Sequence, residues 1–219
     1  KEIDAIIEAA LAEDIGPGDI TTDLIVPETA VIKGVFTAKA AGIICGLPLA
    51  VRIFKKLDKN LKMSCKKKDG DRIKHGDVIA VIRGNARAVL KGERTALNFM
   101  QKLSGIATAA ARFVEIAKKY RVTILDTRKT TPNLRVLEKY AVKTGGGENH
   151  RMGLYDQVLI KDNHLDFVDM EKAVVELRRM LPHNIKIEIE VETTEMLEKA
   201  IKMNPDIIML DNMGFDTLE

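Results

Sequence analysis

The chain has 219 residues, 46% of them hydrophobic, enough to bury one large core or two smaller ones. Thirty-five Lys and Arg against 32 Asp and Glu leave a net charge of +3, and aromatic residues make up 4%; both argue against bulk nucleic-acid binding. Two cysteines without a CxxC pair, Cys45 and Cys65, argue against a zinc site or a disulfide framework. No apolar run reaches the ~18 residues of a membrane span.

The N-terminus, KEIDAIIEAALAED, is charged and shows no signal peptide, so a cytoplasmic protein is expected. Abundant Lys, Glu and Ile with only two glutamines, Gln101 and Gln157, lean toward a thermophile. Ile3, Ile6, Ile7, Ala10 and Leu11 have helical spacing over residues 2–12, and Gly16-Pro17-Gly18 breaks that helix. From 31 to 90, short β-prone runs alternate with Gly, Asn and Asp, interrupted by one helix at about 47–57. That region reads as a small α+β domain with an antiparallel sheet. A long helical stretch from 93, with a break expected near Ser104-Gly105, marks the junction, so the domains are set at 1–103 and 104–219.

Beyond the junction the rhythm is regular. Strands are expected at 122–127, 157–162, 185–192 and 206–212. Helices are expected at 134–142, 170–180 and 194–203, with another beginning at FDTLE. Strands alternating with amphipathic helices specify βα units and a parallel sheet.

Chemistry collects at the strand ends. Thr127-Arg128-Lys129 ends the first strand and Lys161-Asp162-Asn163-His164 the second. Glu190 and Glu192 lie near the end of the third, and Asp211-Asn212 ends the fourth. Ligands of α/β folds bind at the carboxyl ends of strands, so cations and carboxylates share one rim. Arg128, Lys129, Arg151 and Lys161 suit carboxylates or phosphates, with Arg able to grip them bidentately. Glu190 and Asp211 suit Mg²⁺ or ribose hydroxyls. Lys139, Lys143 and His150 add to the positive charge around Gly145-Gly146-Gly147, which could form a backbone nest for an anion. Lys66-Lys67-Lys68 reads as a solvated face. Cys45 and Cys65 read as inert thiols, His183 as a surface residue, Met100, Met170 and Met180 as core filling, and Tyr140 and Tyr155 as packing.

TRKTTPNLRVLEKYAVKTGGGENHRMGLYDQVLIKDNH resembles the signature of the quinolinate phosphoribosyltransferase family. EDIGPGDITTD, GERTALNFMQKLSGIAT, IEVE and IIMLDN match in the same order along the chain. The resemblance implies an N-terminal α+β sandwich domain and a C-terminal α/β (TIM-like) barrel, assembled as a homodimer or a multiple of dimers. The family's pattern continues past Glu219, so the barrel is expected to be incomplete in these 219 residues. The implied reaction joins quinolinate and phosphoribosyl pyrophosphate, with Mg²⁺, to give nicotinate mononucleotide, pyrophosphate and CO₂. Arg128, His150, Arg151 and Lys161 would hold the quinolinate carboxylates, and Arg94 would join them from the neighbouring subunit. Lys129 would contact phosphoribosyl pyrophosphate, while Glu190 and Asp211 would face the ribose hydroxyls and Mg²⁺. The family usually has Gly where this chain has Asn133, a residue that tolerates positive φ. The alternatives are a related phosphoribosyltransferase serving another anionic heterocycle, as in molybdate-transport operons, and a carrier module suggested by KDGDRIKHGDVIAVIRG (68–84).

Overall fold

The computed structural model describes residues 1–165 and 167–218. These fall into two compact units, 1–150 and 151–219.

In the first unit, α1 (Glu2–Ile15) buries Ile7 and Leu11 and stops at Gly16, whose φ of 52° is left-handed. A second short helix, α2 (Ile20–Ile25), starts where the Asp19 side chain accepts the Thr22 N–H at 2.9 Å. Strands β1 (Val31–Thr37), β2 (Gly42–Ile43), β3 (Lys62–Cys65), β4 (Arg72–Ile73) and β5 (Val78–Asn85) follow, with α3 (Leu47–Leu57) between β2 and β3. They form two antiparallel sheets, one of order β1-β5-β3 and one pairing β2 with β4. Asp69 accepts the N–H groups of Gly46 (2.8 Å) and Leu47 (3.0 Å), capping α3.

The junction helix differs from expectation at its start and in its middle. It begins at Ala86 rather than 93, because the Asn85 side chain accepts the Ala88 N–H at 3.1 Å and ends the strand. It then runs unbroken as α4 (Ala86–Ala117) through Ser104-Gly105. The Ser104 hydroxyl accepts the Cys45 N–H (2.9 Å) and donates to the Cys45 carbonyl (3.2 Å). One turn on, Thr108 Oγ1 accepts the Ile43 N–H at 2.8 Å. These hydroxyls anchor the backbone around β2 to the helix. The core gathers Phe54, Ile53, Ile82, Met100 and Leu103 from α3, α4 and the sheet, with Leu61 from the turn before β3, and extends to Leu137 and Ala141 of α5 (Arg135–Thr144).

The expected strand at 122–127 contributes only one parallel bridge, Leu125 to Glu148. Asp126 N–H donates to the Glu148 carbonyl (3.1 Å) and Glu148 N–H to the Ile124 carbonyl (2.8 Å).

The second unit contains β6 (Val158–Ile160), α6 (Asp162–Leu165), α7 (Met170–Met180), β7 (Ile187–Val191), α8 (Thr194–Met203), β8 (Ile207–Leu210) and α9 (Phe215–Leu218). The three strands form an open parallel sheet, β6-β7-β8. Asp169 caps α7 through the Lys172 N–H (3.0 Å) and Thr193 caps α8 through the Met196 N–H (3.2 Å). Ile187, Ile189 and Val191 are fully buried against Val174 of α7 and Ala200 of α8. Met170 packs on this cluster, but Met180 and Tyr155 are exposed, against the core and packing roles expected of them. No helix among the described residues is long and apolar enough to cross a membrane.

Candidate active site

The cations of the first unit sit on two short segments, 126–131 and 148–150, that are not held by a sheet ladder. Side chains hold them instead. Lys139 of α5 is 1% exposed and pairs with Asp126, whose side chain is 6% exposed. Lys139 Nζ also donates to the His150 carbonyl at 2.9 Å, and the His150 N–H donates to Asp126 Oδ1 at 2.9 Å. The Asn149 amide, oriented to satisfy both of its groups, donates to Asp126 Oδ2 (2.8 Å) and to the Lys139 carbonyl (3.0 Å). Lys139 is thus consumed inside the fold and adds no free charge to the cation-rich rim.

Two further α5 side chains grip the 127–131 loop. Arg135 Nε donates to Thr130 Oγ1 (3.0 Å), and its Nη2 to the Arg128 carbonyl (3.4 Å). Glu138 accepts the Thr131 N–H at 3.1 Å and pairs with Lys102 at 3.0 Å. Burial works to raise the Glu138 carboxyl, but the hydrogen bonds from Thr131 and Lys102 hold it below its ordinary value. Asn133 takes a φ of 65°, the conformation its side chain tolerates where glycine is usual.

On this scaffold Arg128 is half-buried, and its Nε is fully buried without a hydrogen-bond partner. A buried guanidinium N–H without an acceptor is costly, and an anionic ligand would supply one. Lys129 is exposed beside it. Arg94 is exposed on α4 and makes no hydrogen bond or ion pair among the described residues.

The triple glycine does not form an anion nest. Gly145, Gly146 and Gly147 donate their N–H groups to the carbonyls of Ala141, Lys143 and Val142, closing the end of α5. A Cβ on Gly145 would lie 2.3 Å from the Ala107 carbonyl oxygen, and one on Gly147 would lie 2.9 Å from Val142 Cγ1. Two of the glycines therefore serve close packing, Gly145 against α4, and Gly146, at φ 95°, turns the chain.

In the second unit the β-pleat does the aiming. Ile187, Ile189 and Val191 face the helices, so Glu188 and Glu190 face the other side of the sheet. Glu190 lies opposite Met209, and Ile160 opposite Ile189. Alternation carried one residue past β6 and two past Met209 puts Lys161 and Asp211 on the Glu190 face. The Asp211 N–H donates to the Val191 carbonyl at 2.9 Å, and the Lys161 N–H donates to His164 Nδ1 at 3.1 Å. Beneath them Glu188, 2% exposed, accepts Gln157 Nε2 at 2.6 Å. Arg151 Nη1 donates to the Gln157 carbonyl at 3.2 Å. Among the described residues no group of three or more His, Cys, Asp or Glu could enclose a metal. Two carboxylates on one sheet face nevertheless suit Mg²⁺, which keeps waters and takes substrate phosphates as its other ligands.

The sequence gives each predicted residue a place but misses the supporting ones: Asp126, Arg135, Glu138, Asn149, Gln157 and Glu188. One signal was available for Asp126, the sole carboxylate between Leu125 and Leu137 in a cation-rich run. Burial pushes the Cys45 thiol up to about 12, and partial desolvation with Asp69 nearby raises that of Cys65, shifts that disfavour the reactive thiolate.

Models of the quinolinate phosphoribosyl transferase N-terminal and C-terminal domains match residues 19–104 and 106–219. A Bacillus subtilis protein named probable nicotinate-nucleotide pyrophosphorylase (carboxylating) is 45% identical over 94% of this chain and 71% of its own length. A Synechocystis protein of the same name is 44% identical over 99% of this chain and 73% of its own. The crystal structure of NadC from Streptococcus pyogenes superposes with a TM-score of 0.94 at 43% identity, over 99% of this chain and 77% of that one. The chain belongs to the quinolinate phosphoribosyltransferase family.

Proposed function

We propose that this protein transfers the phosphoribosyl group of phosphoribosyl pyrophosphate to quinolinate with loss of CO₂, giving nicotinate mononucleotide for de novo NAD synthesis. The observation that carries the reading is the buried, unpartnered Nε of Arg128 within a loop braced by three side chains of α5. Such a group calls for an anion. Arg128, His150, Arg151 and Lys161 hold the two carboxylates. Lys129 takes the pyrophosphate, and Glu190 and Asp211 take the ribose hydroxyls.

The pyridine nitrogen is itself the nucleophile. It attacks the anomeric carbon as the C–O bond to pyrophosphate breaks, so no covalent enzyme intermediate is required. Positioning and charge supply most of the rate. The ribosylated nitrogen is then positive. It stabilises the electron pair left on the adjacent ring carbon when CO₂ departs, and a proton fills that position. Glu190 and Asp211 would also hold Mg²⁺, which when bound neutralises the departing pyrophosphate. Cations placed for a second carboxylate are left unpaired by nicotinate, which accounts for selectivity.

In this reading the protein is a homodimer or a multiple of dimers, and Arg94 completes a neighbour's site. Its exposure without a partner supports that role. A cytoplasmic setting is supported by two free thiols, and a thermophilic source by the Lys-, Glu- and Ile-rich composition.

Steady-state assay with phosphoribosyl pyrophosphate tests the reading. Turnover of quinolinate to nicotinate mononucleotide with little turnover of nicotinate is expected. Equal turnover of nicotinate would overturn the dicarboxylate assignment. Mixing Arg94→Ala with Arg128→Ala, each inactive alone, should restore part of the activity; no restoration would refute the shared site.

A further inference from the structure

We infer that the buried Asp126–Lys139 pair is a positioning device for substrate: it fixes the segment carrying His150 against the segment carrying Arg128, and thereby sets the fit to a dicarboxylate. The inference rests on the function proposed above. Neither residue is a catalytic group, since both are enclosed.

The geometry is specific. Both backbone polar groups of His150 are held by the pair, its carbonyl by Lys139 Nζ and its N–H by Asp126 Oδ1, each at 2.9 Å. Asn149, the preceding residue, is tied to the second Asp126 oxygen and to the Lys139 carbonyl. Asp126 lies two residues before Arg128, and its own N–H is tied to Glu148. Its bonds therefore lock two chain segments that share only one β-bridge. A bridge of one residue pair leaves the angle between segments soft, and a buried polar network with every member satisfied removes that freedom.

The charge also makes sense. Asp126 alone beneath an anion site would repel substrate, and Lys139 alone would be an unpaired buried cation. Together they are neutral and contribute geometry rather than attraction.

The test separates geometry from folding. Apolar replacement of a buried ion pair is often tolerated by the fold, so Asp126→Leu/Lys139→Met is the variant of choice. It should unfold near the wild-type temperature. Its KM for quinolinate should rise, and its preference for quinolinate over nicotinate fall, on the order of tenfold or more. The KM for phosphoribosyl pyrophosphate should move less. A folded double variant with wild-type quinolinate KM and preference overturns the inference. Should the double variant not fold, Asn149→Ala decides: Asn149 is exposed, and its loss frees one Asp126 oxygen. A raised quinolinate KM there supports the clamp, and an unchanged one refutes it. Hydrogen exchange at the His150 amide gives a readout independent of turnover. Faster exchange in the variant is expected, and unchanged protection overturns the clamp. A wild-type protein inactive on quinolinate would instead defeat the proposed function, leaving the exchange result to judge the clamp.

Discussion

The two units aim their polar side chains by different means. From Arg151 onward, a three-stranded ladder sets Glu190 on the face away from the helices by strand alternation, and Lys161 and Asp211 follow directly after its two outer strands. In the first unit, Arg128, Lys129 and His150 stand on segments with a single bridge, and α5 supplies the missing restraint through Arg135, Glu138 and Lys139. These three are spaced i, i+3, i+4 along one helix face. A ladder tolerates substitution of exposed side chains because its restraint is backbone. A side-chain brace fails when one of its members changes.

The difference can be broken at either end. Ile189→Ala removes fully buried volume from the ladder's helix-packed face and should cost about 2–5 kcal/mol of stability, read by denaturant unfolding. A cost near zero would mean the sheet is not the restraint. Gly145→Ala forces a methyl toward the Ala107 carbonyl and shifts α5, with a cost of about 1–3 kcal/mol. Because α5 carries the brace, this variant should also weaken quinolinate binding, whereas Ile189→Ala should leave the His150 amide protected from exchange.

A smaller effect is a matter of pH. The folded Glu138 carboxyl lies below its ordinary value of 4.5, so its contribution to stability is full above 4.5 and is lost as pH falls through the lowered folded value. Glu138→Gln should therefore lower stability at pH above 6, flatten the acid limb of the stability curve and converge on wild type at the lowest pH. A Gln variant with the wild-type acid limb would remove Glu138 from the brace. The smallest effect is at Cys45: with its thiol pushed up to about 12, it should resist alkylation in the folded protein at neutral pH. Rapid labelling would show that the β2–α4 contact opens.

Much of the second unit was legible because its elements are periodic. The boundaries 170–180 and 194–203 match α7 and α8, and each strand was found within a residue or two. The polar face of β7 follows from IEIEV by alternation. The first unit was harder for a physical reason. Ser104-Gly105 looks like a helix break, yet the serine hydroxyl is occupied by the Cys45 backbone and a glycine flanked by long-range packing need not break a helix. Lys139 looks like one more cation at the rim, and nothing local reveals that it turns inward to Asp126, 13 residues away. The triple glycine suggests a nest, but its N–H groups are all spent on the end of α5. Partner choice for a charged side chain is a tertiary property, and periodicity does not report it.

The most direct measurement is calorimetric titration of the protein and its Arg128→Ala variant with quinolinate, with nicotinate as control. The account predicts that wild type binds quinolinate well above nicotinate and that Arg128→Ala loses that preference. Equal binding of the two pyridines by wild type, or an unchanged preference in Arg128→Ala, would contradict the claim that these cations cradle a dicarboxylate.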